Sequence, residues 1–233
     1  MQITKLLLSL LLAASAAAGA TPLYSGVNDV QLQGAPEQRF LGSGFVLEHQ
    51  GKLYGVTAKH VLLMSKGGPP ASTDLQGQLA HWRLRDPRGG GTLSFGRLLN
   101  GDAKEAVTPA VLQRDILIFE LADAGAFTPI RLAQREPQAG ERLHAVGCSY
   151  ASEASCAQDR FEGRYLEHKG VNLLIEMEPK LMQGLFGLSG APVLNEAGEL
   201  VGVVSNVIPD ASGKPRFAPV DTGYLRELIA RPQ

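Results

Sequence analysis

This sequence has no surplus of charge of either sign: 22 Lys and Arg stand against 23 Asp and Glu, a formal net charge of −1. A balanced chain with scattered basic residues offers no electrostatic footprint for nucleic acid or an anionic membrane. After residue 20 there is no long apolar run, so nothing there is long enough to span a bilayer. Histidine numbers five, with none after His168. His49, His81, His144 and His168 lack metal-ligand spacing, and no H-E-x-x-H occurs. The glycines of Arg88-Gly89-Gly90-Gly91 are not followed by a Walker-type Lys-Ser/Thr, so they read as a turn and not as a phosphate cradle. No metal and no cofactor is expected, and no internal repeat is evident. Cysteine is limited to Cys148 and Cys156, and a C-x7-C pair without further nearby ligands is a weak metal signal.

What is present begins with residues 1–20. Lys5 supplies positive charge, Leu6 through Ala18 form an apolar core and Ala18-Gly19-Ala20 fits a small-residue cleavage site, so this stretch reads as a secretory signal. The mature chain would start at Thr21, be exported to the periplasm or beyond the cell, and make no stable membrane insertion. In an oxidising compartment Cys148 and Cys156 are expected to pair and tie a surface loop. About 210 residues remain, enough for one or two units with a proper core.

Within them, short runs rich in Val, Ile, Leu, Phe and Tyr alternate with Gly, Pro, Asn and Asp, the pattern of an all-β protein. Strands are expected near 38–48, 52–57, 78–86, 92–99 and 115–121. A second set is expected near 129–133, 141–149, 161–168, 171–178, 191–194, 199–207 and 215–220. Ala122 to Thr128 reads as the connection between the two sets. A single helix is expected at the C-terminus, capped by Asp221 or Thr222, with Leu225, Leu228 and Ile229 on one face.

Candidate chemistry centres on Gly187-Leu188-Ser189-Gly190-Ala191-Pro192-Val193. Gly187 and Gly190 let the backbone around Ser189 take conformations closed to other residues and approach a substrate closely. A serine hydroxyl is a poor nucleophile and needs a base and an orienting acid. His60 closes one apolar run and Asp115 opens another, so the chain order is His60, Asp115, Ser189. That order is incompatible with an α/β-hydrolase, in which the histidine follows the nucleophile. Ala191 also stands where the last glycine of G-x-S-x-G belongs, and no S-x-x-K dyad occurs.

Thr57-Ala58-Lys59-His60, Asp115-Ile116 and Gly187-Leu188-Ser189-Gly190-Ala191-Pro192 together resemble the T-A-x-H, D-[IL] and G-x-S-G-x-P blocks of the trypsin-like (chymotrypsin-fold) serine peptidases. Among them, the chain looks like the short bacterial exported forms, without a PDZ domain. The resemblance spans roughly residues 38–220 and implies two six-stranded antiparallel β-barrels with a short C-terminal helix. The barrel at 21–121 would carry His60 and Asp115, and that at 122–233 would carry Ser189. It implies an endopeptidase acting on proteins or peptides through an acyl-enzyme, with Gly187 and Ser189 donating main-chain N–H groups to an oxyanion hole. It also implies that Ser205 supports Asp115, that Asn206 and Val207 pair with substrate backbone, and that Gln183, Phe217 and Ala218 help form the specificity pocket. With neutral Gln183 at its base, this pocket would select small or medium uncharged residues. Leu188 occupies the place where animal digestive enzymes carry an Asp that pairs with a freed N-terminal amine, so activation by that route is excluded. The alternative is a protein-binding module that keeps the fold and uses the groove to hold extended segments by strand addition.

Overall fold

The computed structural model describes residues 21–230. The expected signal segment lies outside them. Twelve strands form two antiparallel sheets in which chain order follows the two expected sets.

The first sheet comprises β1 (Ser25–Leu32), β2 (Ser43–His49), β3 (Lys52–Thr57), β4 (Leu79–Arg85), β5 (Thr92–Ser94) and β6 (Leu117–Leu121), in the order β5-β4-β1-β2-β3-β6. Its two edges are joined just past β5, where Gly96 N–H donates to Glu120 O and Glu120 N–H to Arg97 O, each at 2.9 Å. The second sheet is a closed barrel, β10-β11-β12-β9-β8-β7. Its strands are β7 (Arg142–Gly147), β8 (Asp159–Lys169), β9 (Asn172–Met177), β10 (Pro192–Leu194), β11 (Leu200–Pro209) and β12 (Pro215–Asp221). Closure removes the free edges that would otherwise template pairing with other chains.

Three local expectations need correction. β1 precedes the first expected strand, and it contains Gly26, Asn28 and Asp29, residue types more usual in turns. They are tolerated in a buried strand because their polar groups are satisfied internally. Asn28 Nδ2 donates to Ser43 O at 2.7 Å and Thr57 Oγ1 at 2.9 Å, while its Oδ1 accepts from Trp82 Nε1 at 2.9 Å. Asp29 pairs with Arg85 at 2.7 Å. The expected strand at 38–48 begins only at Ser43, because Phe40 and Gly42 have φ of 57° and 70° and turn the chain. The expected strand at 129–133 is reduced to isolated bridges, Ile130 with Leu47 and Leu132 with Leu200, as the chain passes from one sheet to the other.

The C-terminal helix is α2 (Gly223–Ala230), and Asp221 Oδ1 accepts from Gly223 N–H at 2.8 Å at its start. Leu225 and Leu228 join a buried cluster that includes Phe45 and Leu47 from the first sheet and Leu200 and Val203 from the barrel. The helix therefore covers the seam between the sheets. A further short helix, α1 (Pro179–Gln183), was not expected from the sequence. No helix among the described residues is long and apolar enough to cross a membrane.

Candidate active site

β3 ends at Thr57 and the chain turns into a short 3-10 segment, Lys59–Met64, that presents His60. Lys59 is buried and its ammonium pairs with Glu105 at 2.6 Å, which fixes the residue next to His60. Asp115 caps the end of a second 3-10 segment, Pro109–Arg114, just before β6. Asn100 holds that approach by donating to Ile116 O at 2.7 Å and accepting from Ile118 N–H at 3.0 Å. Both segments belong to the first sheet, and Ser189 reaches them from the turn between α1 and β10 of the barrel.

The three side chains form one hydrogen-bonded line. Asp115 is fully buried, and its Oδ2 lies 2.6 Å from His60 Nδ1 while its Oδ1 accepts from His60 N–H at 2.8 Å. Ser205 Oγ donates to the same Oδ2 at 2.5 Å. His60 Nε2 lies 2.7 Å from Ser189 Oγ. The Asp115 carboxylate thus meets the imidazole at its Nδ1 edge and leaves Nε2 facing the Ser189 hydroxyl.

The Ser189 turn is held at its own main-chain groups. Ser43 N–H donates to Ser189 O at 2.7 Å, Ser43 Oγ to Gly187 O at 2.8 Å, and Gly190 N–H to Val204 O at 2.8 Å. Gly190 has φ of 90°, and a Cβ there would meet Thr57 Oγ1 at 2.5 Å, so only glycine lets this turn lie against the first sheet. Gly187 has φ of 99°. Neither Gly187 N–H nor Ser189 N–H finds an acceptor among the described residues.

A pocket of about 180 Å³ opens beside Ser189. Its walls include Met182, Leu185, Phe186, Val204, Val207 and Phe217, with Ser205 and Asn206 also at its margin and no charged side chain. Four of the five exposed large apolar residues among those described, Met64, Tyr150, Phe186 and Val207, line this one pocket. Gln183 does not. It points to solvent from the last position of α1, because helical geometry separates successive side chains by about 100° and puts Met182 on the pocket side instead. Ala218 is also outside the lining: it is buried on β12, where its carbonyl accepts from Asn172 Nδ2 at 2.9 Å.

Cys148 and Cys156 form a disulfide, as expected, and close the loop between β7 and β8. No cluster of three or more His, Cys, Asp or Glu side chains able to hold a metal is found among the described residues. Sequence reasoning missed Ser43, Asn100 and Tyr150. Ser43 and Asn100 carry ordinary polar side chains in unremarkable contexts, and Tyr150 reaches the pocket only through the path of its loop.

Residues 42–203 match the family described as trypsin-like peptidase domain. The chain belongs to that family. No curated protein matches the sequence. Among solved structures, similarity extends to a serine endoprotease from Yersinia pestis, at 18% identity and a TM-score of 0.55, over 89% of this chain and 63% of that one. The present chain therefore spans less than two thirds of the Yersinia protein. A thermostable serine protease from an extremophilic microorganism is similar at 15% identity and a TM-score of 0.57, over 88% of this chain and 94% of that one. At such identities the likeness concerns the fold, and the family match makes the chain a relative of the trypsin-like peptidases.

Proposed function

We propose that this chain is an exported serine endopeptidase in which Ser189 is the nucleophile, His60 the general base and acid, and Asp115 the orienting acid. The observation that carries the reading is the continuous line from Asp115 through His60 to Ser189, with contacts of 2.6 and 2.7 Å. Ser189 Oγ attacks the scissile carbonyl carbon as its proton passes to His60 Nε2. The carbonyl π electrons move onto oxygen, and Gly187 N–H and Ser189 N–H stabilise that oxyanion. Collapse of the tetrahedral species breaks the C–N bond, and the imidazolium returns its proton to the leaving amine. Water then repeats the sequence on the acyl-enzyme and frees the carboxylic acid.

Asp115 and Ser205 act before substrate arrives, because a preorganised carboxylate needs no rearrangement when the imidazole becomes charged. Only neutral imidazole can take the serine proton, so turnover falls in acid. The walls of the pocket support selection of small or medium uncharged residues, with Val, Leu or Met favoured by apolar contact. A cationic or anionic side chain would be buried there without a counter-charge. Met182 and Leu185, in place of Gln183, supply the inner wall. Export is supported by the signal-like residues 1–20 and by the disulfide. The two sheets are read as two domains, 21–121 and 122–233, that meet at the site.

The test is active-site labelling by a fluorophosphonate together with hydrolysis of an unfolded protein. The wild-type chain labels and cleaves, while Ser189→Ala and His60→Ala do neither. Binding of extended peptides without labelling or cleavage would instead identify a binding module.

A further inference from the structure

We infer that Tyr224, on the C-terminal helix, is a positioning residue for the His60–Asp115 pair, its ring holding the two cations, Lys59 and Arg114, that immediately precede those residues in the chain. The inference rests on the peptidase reading above and concerns a side chain outside the triad and the pocket. Lys59 Nζ lies 5.6 Å and Arg114 Cζ 5.4 Å from the centroid of the Tyr224 ring. Both fall within the range over which a cation is attracted to the negative face of an aromatic ring. One ring of α2 therefore meets the neighbour of the base and the neighbour of the acid at once.

A restraint matters here because Asp115 sits at the centre of the smallest kind of turn. Its φ of −80° and ψ of 54°, with Ile116 N–H donating to Arg114 O at 2.8 Å, make an inverse γ-turn. The direction of such a turn is set by its two ends. Ile116 is one end: it belongs to the same buried cluster as Leu225 and Leu228 of α2, and its carbonyl accepts from Asn100 at 2.7 Å. Arg114 is the other. It is exposed and makes no ion pair or side-chain hydrogen bond among the described residues, so the contact with Tyr224 is the directed interaction of its guanidinium there. The helix thus grips the chain on both sides of Asp115.

Lys59 is the buried counterpart. It is 1% exposed, and both oxygens of Glu105 bind its ammonium, at 2.9 and 2.6 Å, while Thr73 donates to the same carboxylate at 2.8 Å. An ammonium taken out of water gains from each electrostatic partner that remains, and the Tyr224 ring supplies one more. The contacts close on themselves: His60 N–H donates to Asp115 Oδ1 at 2.8 Å, and the residues before each meet again at Tyr224. Two like charges would otherwise move apart, and the shared ring draws them together. A rotation of either 3-10 segment that lengthens the Asp115–His60 contact pulls a cation from the ring.

The experiment compares Tyr224→Phe with Tyr224→Leu in the full chain, with kcat taken per active site titrated by fluorophosphonate so that unfolded molecules do not count. Phenylalanine keeps the ring face, and leucine keeps apolar volume without it. Tyr224→Phe should stay within about twofold of wild type, and Tyr224→Leu should lose on the order of tenfold in kcat with KM alike, the size of a partly desolvated cation–π contact. The proton resonance of His60 Nδ1–H, which reports the contact with Asp115, should move or broaden in Tyr224→Leu and stay in place in Tyr224→Phe. A packing role alone would lower the unfolding midpoint of Tyr224→Leu and leave both kcat and the resonance at their wild-type values, which overturns the inference. An equal loss of kcat in the two variants overturns it as well.

Because Tyr224 acts through the cations, Arg114→Gln should lower kcat about threefold, and adding it to Tyr224→Leu should cost nothing further, all measured on the pH-independent plateau. Independent, multiplicative losses overturn the inference. If Tyr224→Leu fails to fold, as judged by circular dichroism, Arg114→Gln decides alone, since Arg114 is exposed and lies outside the core. A fall in kcat at unchanged KM supports the clamp, and unchanged kcat overturns it. A wild-type chain that neither labels with fluorophosphonate nor cleaves overturns the peptidase reading itself, a result distinct from any comparison between variants.

Discussion

Around His60 and Asp115 the first sheet is held through its own side chains, whereas around Ser189 the barrel side is held at its own main-chain groups, Ser43 Oγ being the one side-chain donor to them among the described residues. Asn28, Asn100 and the Lys59–Glu105 pair fasten strands and 3-10 segments of the first sheet through their side chains. The Ser189 turn is fastened through Ser43 N–H, Gly190 N–H and Tyr150 N–H, with Gly187 and Gly190 at positive φ. On the proposed mechanism, the contrast follows from the task of each side. A base must be aimed by a partner on its ring, which requires a specific side chain. A nucleophile flanked by N–H donors requires a specific backbone path. The base side is accordingly vulnerable to deletion of polar side chains, and the nucleophile side to addition of a Cβ or loss of an N–H.

The largest effect would remove the chemistry where the two sides meet. Ser189→Ala and His60→Ala should each lower kcat on the order of 10⁴- to 10⁶-fold, and the double variant should be little worse than either, because the triad acts as a unit. Steady-state kinetics on a peptide amide checks this, and multiplicative losses would break the assignment.

Away from the reacting atoms, the contrast predicts different readouts on the two sides. Asn28→Ala strands Trp82 Nε1 and leaves the first sheet short of donors, so it should cost about 3 kcal/mol in denaturant unfolding. Gly190→Ala forces a Cβ toward Thr57 Oγ1 at positive φ, so it should cost about 2 kcal/mol of stability while losing proportionally more activity. If Asn28→Ala lost activity with no change in unfolding midpoint, the division between the sides would not hold.

Acid sharpens the comparison from the barrel side. Burial holds the imidazole of His144, on β7, down at about 4 from its ordinary 6.5. Above 6.5 the group is neutral both folded and unfolded and contributes no pH dependence. As pH falls from 6.5 toward 4 the unfolded chain takes a proton that the folded barrel refuses, so stability drops by about 2 kcal/mol across that window. His144→Gln should flatten that limb of the unfolding midpoint against pH, and an unchanged slope would remove His144 from the account.

The smallest predicted effect is at Ser205. Its hydroxyl is one of three donors to the Asp115 carboxylate, so Ser205→Ala should lower kcat about tenfold and leave the unfolding midpoint almost unchanged. A loss as large as that of His60→Ala would mean that Ser205 takes part in the proton transfer itself.

The sequence by itself determined the fold class, the order of the three candidate residues and the pairing of the two cysteines, because these depend on residue type. An imidazole, a carboxylate and a hydroxyl are rare enough, in blocks of fixed order, to stand out against Val, Leu and Gly. Only the tertiary structure decided where polar residues become interior ones. Asn28 in β1 has the side chain of a turn residue and becomes a core residue because Ser43, Thr57 and Trp82 surround it. The pocket wall was decided there too: one helical turn in α1 directs Met182 to the pocket and Gln183 to solvent.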